Sequence, residues 1–143
     1  MVDSHTRRLI VLCVDDNEEV LQSLRRELRR GLRGRARIEL SNSAAMALKR
    51  LGDMSADERV GVVIVSDWLM PGMRGDEFVH QVQRQHGALP VVVLSGHISG
   101  EAATAMQALD QVRAIIPKPW RSEDLLSHIE QALALESSEE SER

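Results

Sequence analysis

Val60-Gly61-Val62-Val63-Ile64-Val65-Ser66 is the strongest strand signal in the chain, and Asp67 follows it at once. Branched Val and Ile side chains suit a pleated, packed surface. The run is continuous rather than alternating, which marks a strand buried on both faces, as in a parallel sheet covered by helices. The next segment, Met70-Pro71-Gly72-Met73-Arg74-Gly75, must be loop, because Pro and Gly punctuate it. Asp76 to Gln85 then has helical spacing.

The same alternation continues in both directions. Upstream, Leu9 to Val14 is a short buried strand, and Asn17 to Arg30 places Val20, Leu21, Leu24 and Leu28 at helical intervals. Asn17 is a cap for that helix, and Glu18 and Glu19 suit its positive end. Ala36 to Leu40 predicts a weaker strand, and Ser43 to Leu51 an Ala-rich helix that Gly52 ends. Downstream, Pro90 to Leu94 and Ala114 to Ile116 predict strands, and Ser99 to Leu109 a helix. Ser122 to Leu135 predicts a last helix with Leu125, Leu126, Ile129 and Leu133 on one face. Five βα units with short connections imply a parallel sheet with helices on both sides.

The 143 residues fit one domain, spanning residues 1–135. Residues 136–143 hold no core-forming side chains and read as a disordered acidic tail or the start of a linker. Aromatics are Phe78, Trp68 and Trp120 alone, so the core must be aliphatic. The single cysteine, Cys13, lies in an apolar run and reads as a small buried hydrophobe; no internal disulfide can form, and a reducing, cytoplasmic setting is expected. No apolar stretch approaches the roughly 20 residues of a membrane span. The net charge of −4 argues against direct nucleic-acid binding. Arg25, Arg26, Arg29, Arg30, Arg33, Arg35 and Arg37 read as a solvated helix face and its exit loop. His5, His80, His86, His97 and His128 lack the spacing of a zinc site.

In parallel α/β sheets, ligands bind outside the carboxyl ends of the strands. Asp15 and Asp16 follow the first strand, Asp67 the third, Ser95 the fourth and Lys118 the fifth. Three carboxylates gathered on one rim repel one another unless a cation joins them, and hard oxygen ligands suit Mg²⁺. Lys118 adds a fixed positive charge. The anion such a site accommodates is a phosphoryl group, with Asp67 as nucleophile forming an acyl phosphate. Mg²⁺ and Lys118 then offset charge on the phosphoryl oxygens, and the Ser95 hydroxyl donates to one of them.

The runs Val14-Asp15-Asp16-Asn17, Ser66-Asp67-Trp68-Leu69-Met70-Pro71-Gly72-Met73-Arg74-Gly75, Leu94-Ser95-Gly96 and Lys118-Pro119 resemble the signature set of response-regulator receiver domains of two-component signalling. The resemblance covers about residues 8 to 135. It implies a flavodoxin-like, doubly wound (βα)5 fold with a five-stranded parallel sheet in the order 2-1-3-4-5. It further implies that Asp67 is the phosphoacceptor and that Asp16 binds Mg²⁺ directly, Asp15 acting largely through metal-bound water. The Leu69 backbone carbonyl completes the metal site, Ser95 is the switch hydroxyl, and the Lys118–Pro119 bond is cis. The partners implied are a sensor histidine kinase or phosphotransfer protein and a downstream output domain or protein; a homodimer is left open. The family analogy makes Leu69 and His97 tune the loss of the phosphoryl group to water. The Lys118-Pro119-Trp120 run is similar to a subgroup whose receivers often precede output domains.

One position departs from the family pattern. Ile115 stands three residues before the lysine, where an aromatic ring usually sits. Signalling is therefore expected to depend more on the loop after Ser95 and the helix from Ser99 to Leu109. Three other functions fit these residues less well. A small-molecule phosphatase or phosphotransferase using an aspartyl phosphate usually has a second acid two residues after the nucleophile, where this chain has Leu69. A pseudo-receiver without phosphorylation would not need Asp15, Asp16, Asp67, Ser95 and Lys118 together. A nucleotide-binding role lacks a glycine-rich phosphate loop.

Overall fold

A computed structural model describes residues 9–96 and 100–141. In chain order the elements are β1 (Leu9–Val14), α1 (Glu18–Leu32), β2 (Ala36–Ser41), α2 (Ala44–Asp53), α3 (Ala56–Val60), β3 (Val62–Asp67), α4 (Gly75–His86), β4 (Val91–Ser95), α5 (Gly100–Gln107), β5 (Val112–Pro117) and α6 (Ser122–Ser141). The strands form one five-stranded sheet in the order β2-β1-β3-β4-β5. Every pairing is parallel. This is the doubly wound, flavodoxin-like architecture expected from the sequence.

Burial follows position in the sheet. All six residues of β3 are buried, as are all five of β4, because helices cover both faces of these inner strands. The edge strands β2 and β5 are mostly half-buried, which explains their weaker apolar signals. One face packs Ile10, Leu12, Ile64, Leu51, Phe78, Val82 and Met106 into a core beneath α2, α4 and α5. The other packs Val11, Cys13, Val63, Val65, Leu24, Leu28, Leu125 and Ile129 beneath α1 and α6. Each such aliphatic side chain contributes about 1.5–3 kcal/mol on full burial. Burial pushes the Cys13 thiol up to about 12, so it is neutral and inert, as its place in an apolar strand implied.

Local chemistry sets the boundaries. The Asn17 side chain accepts the backbone N–H groups of Glu19 and Val20, capping α1. α1 reaches Leu32 and ends where Arg33 turns left-handed, at φ 49°. Ser43 caps α2 through the Met46 amide. The expected strand start at Val60 is corrected: Val60 closes α3, a short helix that the apolar pattern did not reveal. Its N-terminus is a capping box, in which Ser55 Oγ accepts from the Glu58 amide and Glu58 Oε1 from the Ser55 amide. β5 extends to Val112–Pro117, beyond the predicted Ala114–Ile116 core. The last helix runs to Ser141 rather than ending at Leu135. Glu is a strong helix former, and a helix once nucleated propagates without needing apolar spacing. The expected helix start at Ser99, and His97, lie outside the described residues.

Candidate functional site

All four strand pairings are parallel, so the carboxyl ends of β1, β3, β4 and β5 lie at one edge of the sheet. Backbone bonds lock this convergence. The Trp68 amide donates to Leu94 O at 2.9 Å, and the Lys118 amide to Ser95 O at 2.8 Å. The register pairs Val14 with Ser66, Asp67 with Leu94 and Ser95 with Pro117. Residues separated by up to 103 positions thereby share one pocket.

Carboxylate oxygens of Asp15, Asp16 and Asp67 all lie within 4.8 Å of one another. Asp15 and Asp67 are buried and Asp16 is exposed, so the cluster opens to solvent on the Asp16 side. Asp15 Oδ1 also accepts the Asn17 amide at 2.8 Å, which fixes the turn into α1. Lys118 Nζ donates to Asp67 Oδ1 at 3.0 Å and to Asp15 Oδ2 at 3.3 Å. Three carboxylates facing one ammonium leave two formal negative charges uncompensated, which matches a divalent cation.

The electrostatics show this tension. Burial raises the Asp67 carboxyl above its usual range; Lys118 opposes the rise, the Asp15 charge adds to it, and the Leu69 amide bond opposes it again. Burial alone would lower Lys118, but its hydrogen bond to Asp67 and the charges of Asp67 and Asp15 hold it above the ordinary lysine range. Ser95 is 2% exposed. Its hydroxyl is buried without a hydrogen-bond partner among the described residues. Such a group costs stability unless a ligand meets it.

The loop after Asp67 is shaped by close approach. A Cβ on Gly75 would stand 2.9 Å from Trp68 Cε3 and 3.1 Å from the Trp68 carbonyl oxygen, so any larger residue at the start of α4 would force the Trp68 turn to shift. The Gly75 amide donates to Trp68 O at 2.7 Å. Trp68 and Met70 pack into the core beneath α4, and Met73 packs against it, which gives both methionines the packing role read from the sequence. Leu69 instead projects outward at 61% exposure, at the rim of the acidic pocket. Ile115 is half-buried against the same core. The Lys118–Pro119 peptide is cis, as the resemblance implied.

Sequence reading missed Glu27. It is the single acid between Arg25 and Arg30, and it accepts hydrogen bonds from Trp120 and Ser122, more than 90 residues away. The signal was its solitary charge beside buried Leu24 and Leu28.

A doubly wound sheet with an acidic pocket and a lysine at its carboxyl edge is a receiver arrangement. The chain belongs to the response regulator receiver domain family, whose profile matches residues 11–130. It is 32% identical over 124 residues to the C4-dicarboxylate transport transcriptional regulatory protein DctD of Pseudomonas aeruginosa, covering 86% of this chain and 25% of that protein. It is 32% identical over 121 residues to the response regulator MprA of Mycobacterium leprae, covering 83% of this chain and 48% of that one. The chain thus spans between a quarter and a half of these curated relatives. Among solved structures, the chemotaxis protein CheY4 of Vibrio cholerae superposes with a TM-score of 0.74 at 27% identity, covering 88% of this chain and 99% of that one. The signal receiver domain of an HD domain-containing protein from Pseudomonas fluorescens Pf-5 gives a TM-score of 0.81 at 24% identity, over 98% and 97% of the two chains, a likeness of fold. Among the described residues, no helix is long and apolar enough to cross a membrane.

Proposed function

We propose that this receiver accepts a phosphoryl group on Asp67, with Mg²⁺ bound beside it, and relays the change to an output. The observation that carries the reading is the meeting, at one sheet edge, of three carboxylates, the Lys118 ammonium and a buried Ser95 hydroxyl that has no hydrogen-bond partner among the described residues. The donor set fits Mg²⁺, since it is all oxygen, clustered and open to water on one side. Asp16 and Asp67 would hold the ion, with Asp15 acting through bound water; the Leu69 carbonyl is added on the family resemblance. Bound there, the cation would offset charge on the carboxylates and on the transferred group.

The protein's own groups account for the rest of the step. An Asp67 oxygen attacks phosphorus, the bond from phosphorus to the donor breaks, and the donor departs with its electron pair. From a phosphohistidine, the imidazole takes up a proton as it leaves. Lys118 Nζ, already on Asp67, is placed to pair with a phosphoryl oxygen, and Ser95 Oγ donates to another. Hydrolysis of the acyl phosphate returns Asp67 to its carboxylate. Leu69, two residues past the nucleophile, supplies no acid for turnover of small substrates, which favours a signalling role.

The donor proposed is a sensor histidine kinase or phosphotransfer protein in the cytoplasm. The output is a domain or protein beyond the receiver. The test is incubation with acetyl phosphate and Mg²⁺. One hydroxylamine-labile phosphoryl group is expected by mass spectrometry, and none in Asp67→Asn. Equal labelling of Asp67→Asn would sink the assignment.

A further inference from the structure

Glu27 lies on α1, half-buried, and its carboxylate is committed to three neutral donors. Trp120 Nε1 donates to Oε1 at 2.9 Å, Ser122 Oγ to the same oxygen at 2.5 Å, and Ser23 Oγ to Oε2 at 2.9 Å. Arg26 and Arg30 flank the same groove, about 420 Å³ in volume, yet neither forms an ion pair with Glu27 among the described residues. A carboxylate on a solvated arginine face would be expected to pair with its neighbours. This one instead holds the turn between β5 and α6.

That turn carries Lys118. Among the described residues β5 is an edge strand, paired with β4, so the sheet secures the turn from one side, through the Lys118 amide and Ser95 O. Pro119 and Arg121 are exposed. On the other side, Glu27 fastens Trp120 and Ser122 to α1, while the Trp120 ring packs against the core beneath α1 and α6. The lysine stem has a fixed reach, so where its Cα is held limits which carboxylate oxygens its ammonium can meet. A phosphoryl group arriving at Asp67 adds a further anion pulling on that ammonium.

We infer that Glu27 is a positioning residue for phosphorylation, clamping the Trp120–Ser122 turn to α1 so that Lys118 Nζ stays between Asp15 and Asp67. The inference rests on Asp67 being the phosphoacceptor. Burial opposes ionisation of Glu27, but the hydrogen bonds from Ser122, Trp120 and Ser23, with the Arg26 charge, hold its carboxyl below the ordinary range.

The test compares initial labelling rates with acetyl phosphate and Mg²⁺ in the parent, Glu27→Leu, Glu27→Gln, Trp120→Phe and Glu27→Leu/Trp120→Phe. Glu27→Leu should slow labelling roughly 10-fold, less than the ~100-fold that a full 1 Å misplacement can cost. Glu27→Gln keeps an acceptor oxygen for Trp120 and Ser122 and should restore most of the rate. Trp120→Phe keeps ring packing but loses the donor, and should fall between them. The double variant should be no slower than Glu27→Leu, since the two residues form one contact. The indole N–H proton resonance of Trp120 should move in Glu27→Leu and return in Glu27→Gln. A folded Glu27→Leu that labels at the parent rate overturns the inference, as does a Glu27→Gln as slow as Glu27→Leu. Should Glu27→Leu fail to fold, Trp120→Phe and Ser122→Ala carry the same decision. Asp67→Asn labelled as well as the parent would sink the phosphoacceptor reading itself, a result distinct from any of these.

Discussion

Ser95→Ala should make the resting protein more stable while weakening its response. The Ser95 hydroxyl is buried at the end of β4 and has no partner among the described residues. Burying such a group unpaired costs about 1–3 kcal/mol in mutational series. Alanine removes the oxygen, and the void it leaves is one atom in size, so part of the gain is returned as lost packing. A net stabilisation of about 1 kcal/mol follows, or roughly 3–5 °C in melting temperature for a domain of this size. The assay is urea and thermal unfolding by circular dichroism in metal-free buffer. The same variant should be phosphorylated roughly 10- to 100-fold more slowly, because a hydrogen bond to a charged phosphoryl oxygen is worth about 1.5–3 kcal/mol. Destabilisation of Ser95→Ala by 1 kcal/mol or more would refute the reasoning, since it would mean that the hydroxyl is already satisfied in the folded state.

Asp67→Asn should stabilise the metal-free protein, and increasingly so as pH rises. The folded carboxyl titrates above its unfolded value of 3.8, so the folded state binds the proton more tightly, and the parent loses stability as pH climbs through the window above 3.8. The gap between parent and variant in urea midpoint should open across that window, level off once the folded carboxyl is ionised, and shrink when Mg²⁺ binds the native carboxylates; equal midpoints at pH 7 without metal would contradict the placement of Asp67 beside Asp15. Gly75→Ala drives a Cβ against the Trp68 ring and backbone, at 2.9 to 3.2 Å. It should cost about 1–3 kcal/mol and slow labelling at the adjacent Asp67, whereas an unchanged melting curve would show that the turn can yield.

Much of this architecture was legible because the signals are local. A continuous run of β-branched Val and Ile such as Val62–Val65 marks a strand covered on both faces, and the leucines of α1 announce a helix packed on one side. The capping box at Ser55 and Glu58 was equally local, but the strand signal beginning at Val60 obscured it; α3 buries no residue, so it leaves no apolar pattern. The edge strand β5 is longer than its apolar signal predicts, because its half-exposed residues give a weaker apolar run than the fully buried inner strands.

The order of residues along the chain determined that Asp15, Asp16, Asp67, Ser95 and Lys118 would reach one rim. Parallel strands joined by right-handed crossovers place every carboxyl end on the same edge, whatever the loop lengths. Tertiary structure alone decided how these groups meet: that Lys118 bridges Asp67 and Asp15, that Ser95 has no partner among the described residues, and that Glu27 reaches across to Trp120 and Ser122. Such contacts join positions from 51 to 103 residues apart. They depend on strand register, on helix packing over the sheet and on side-chain direction, none of which is encoded in a local period.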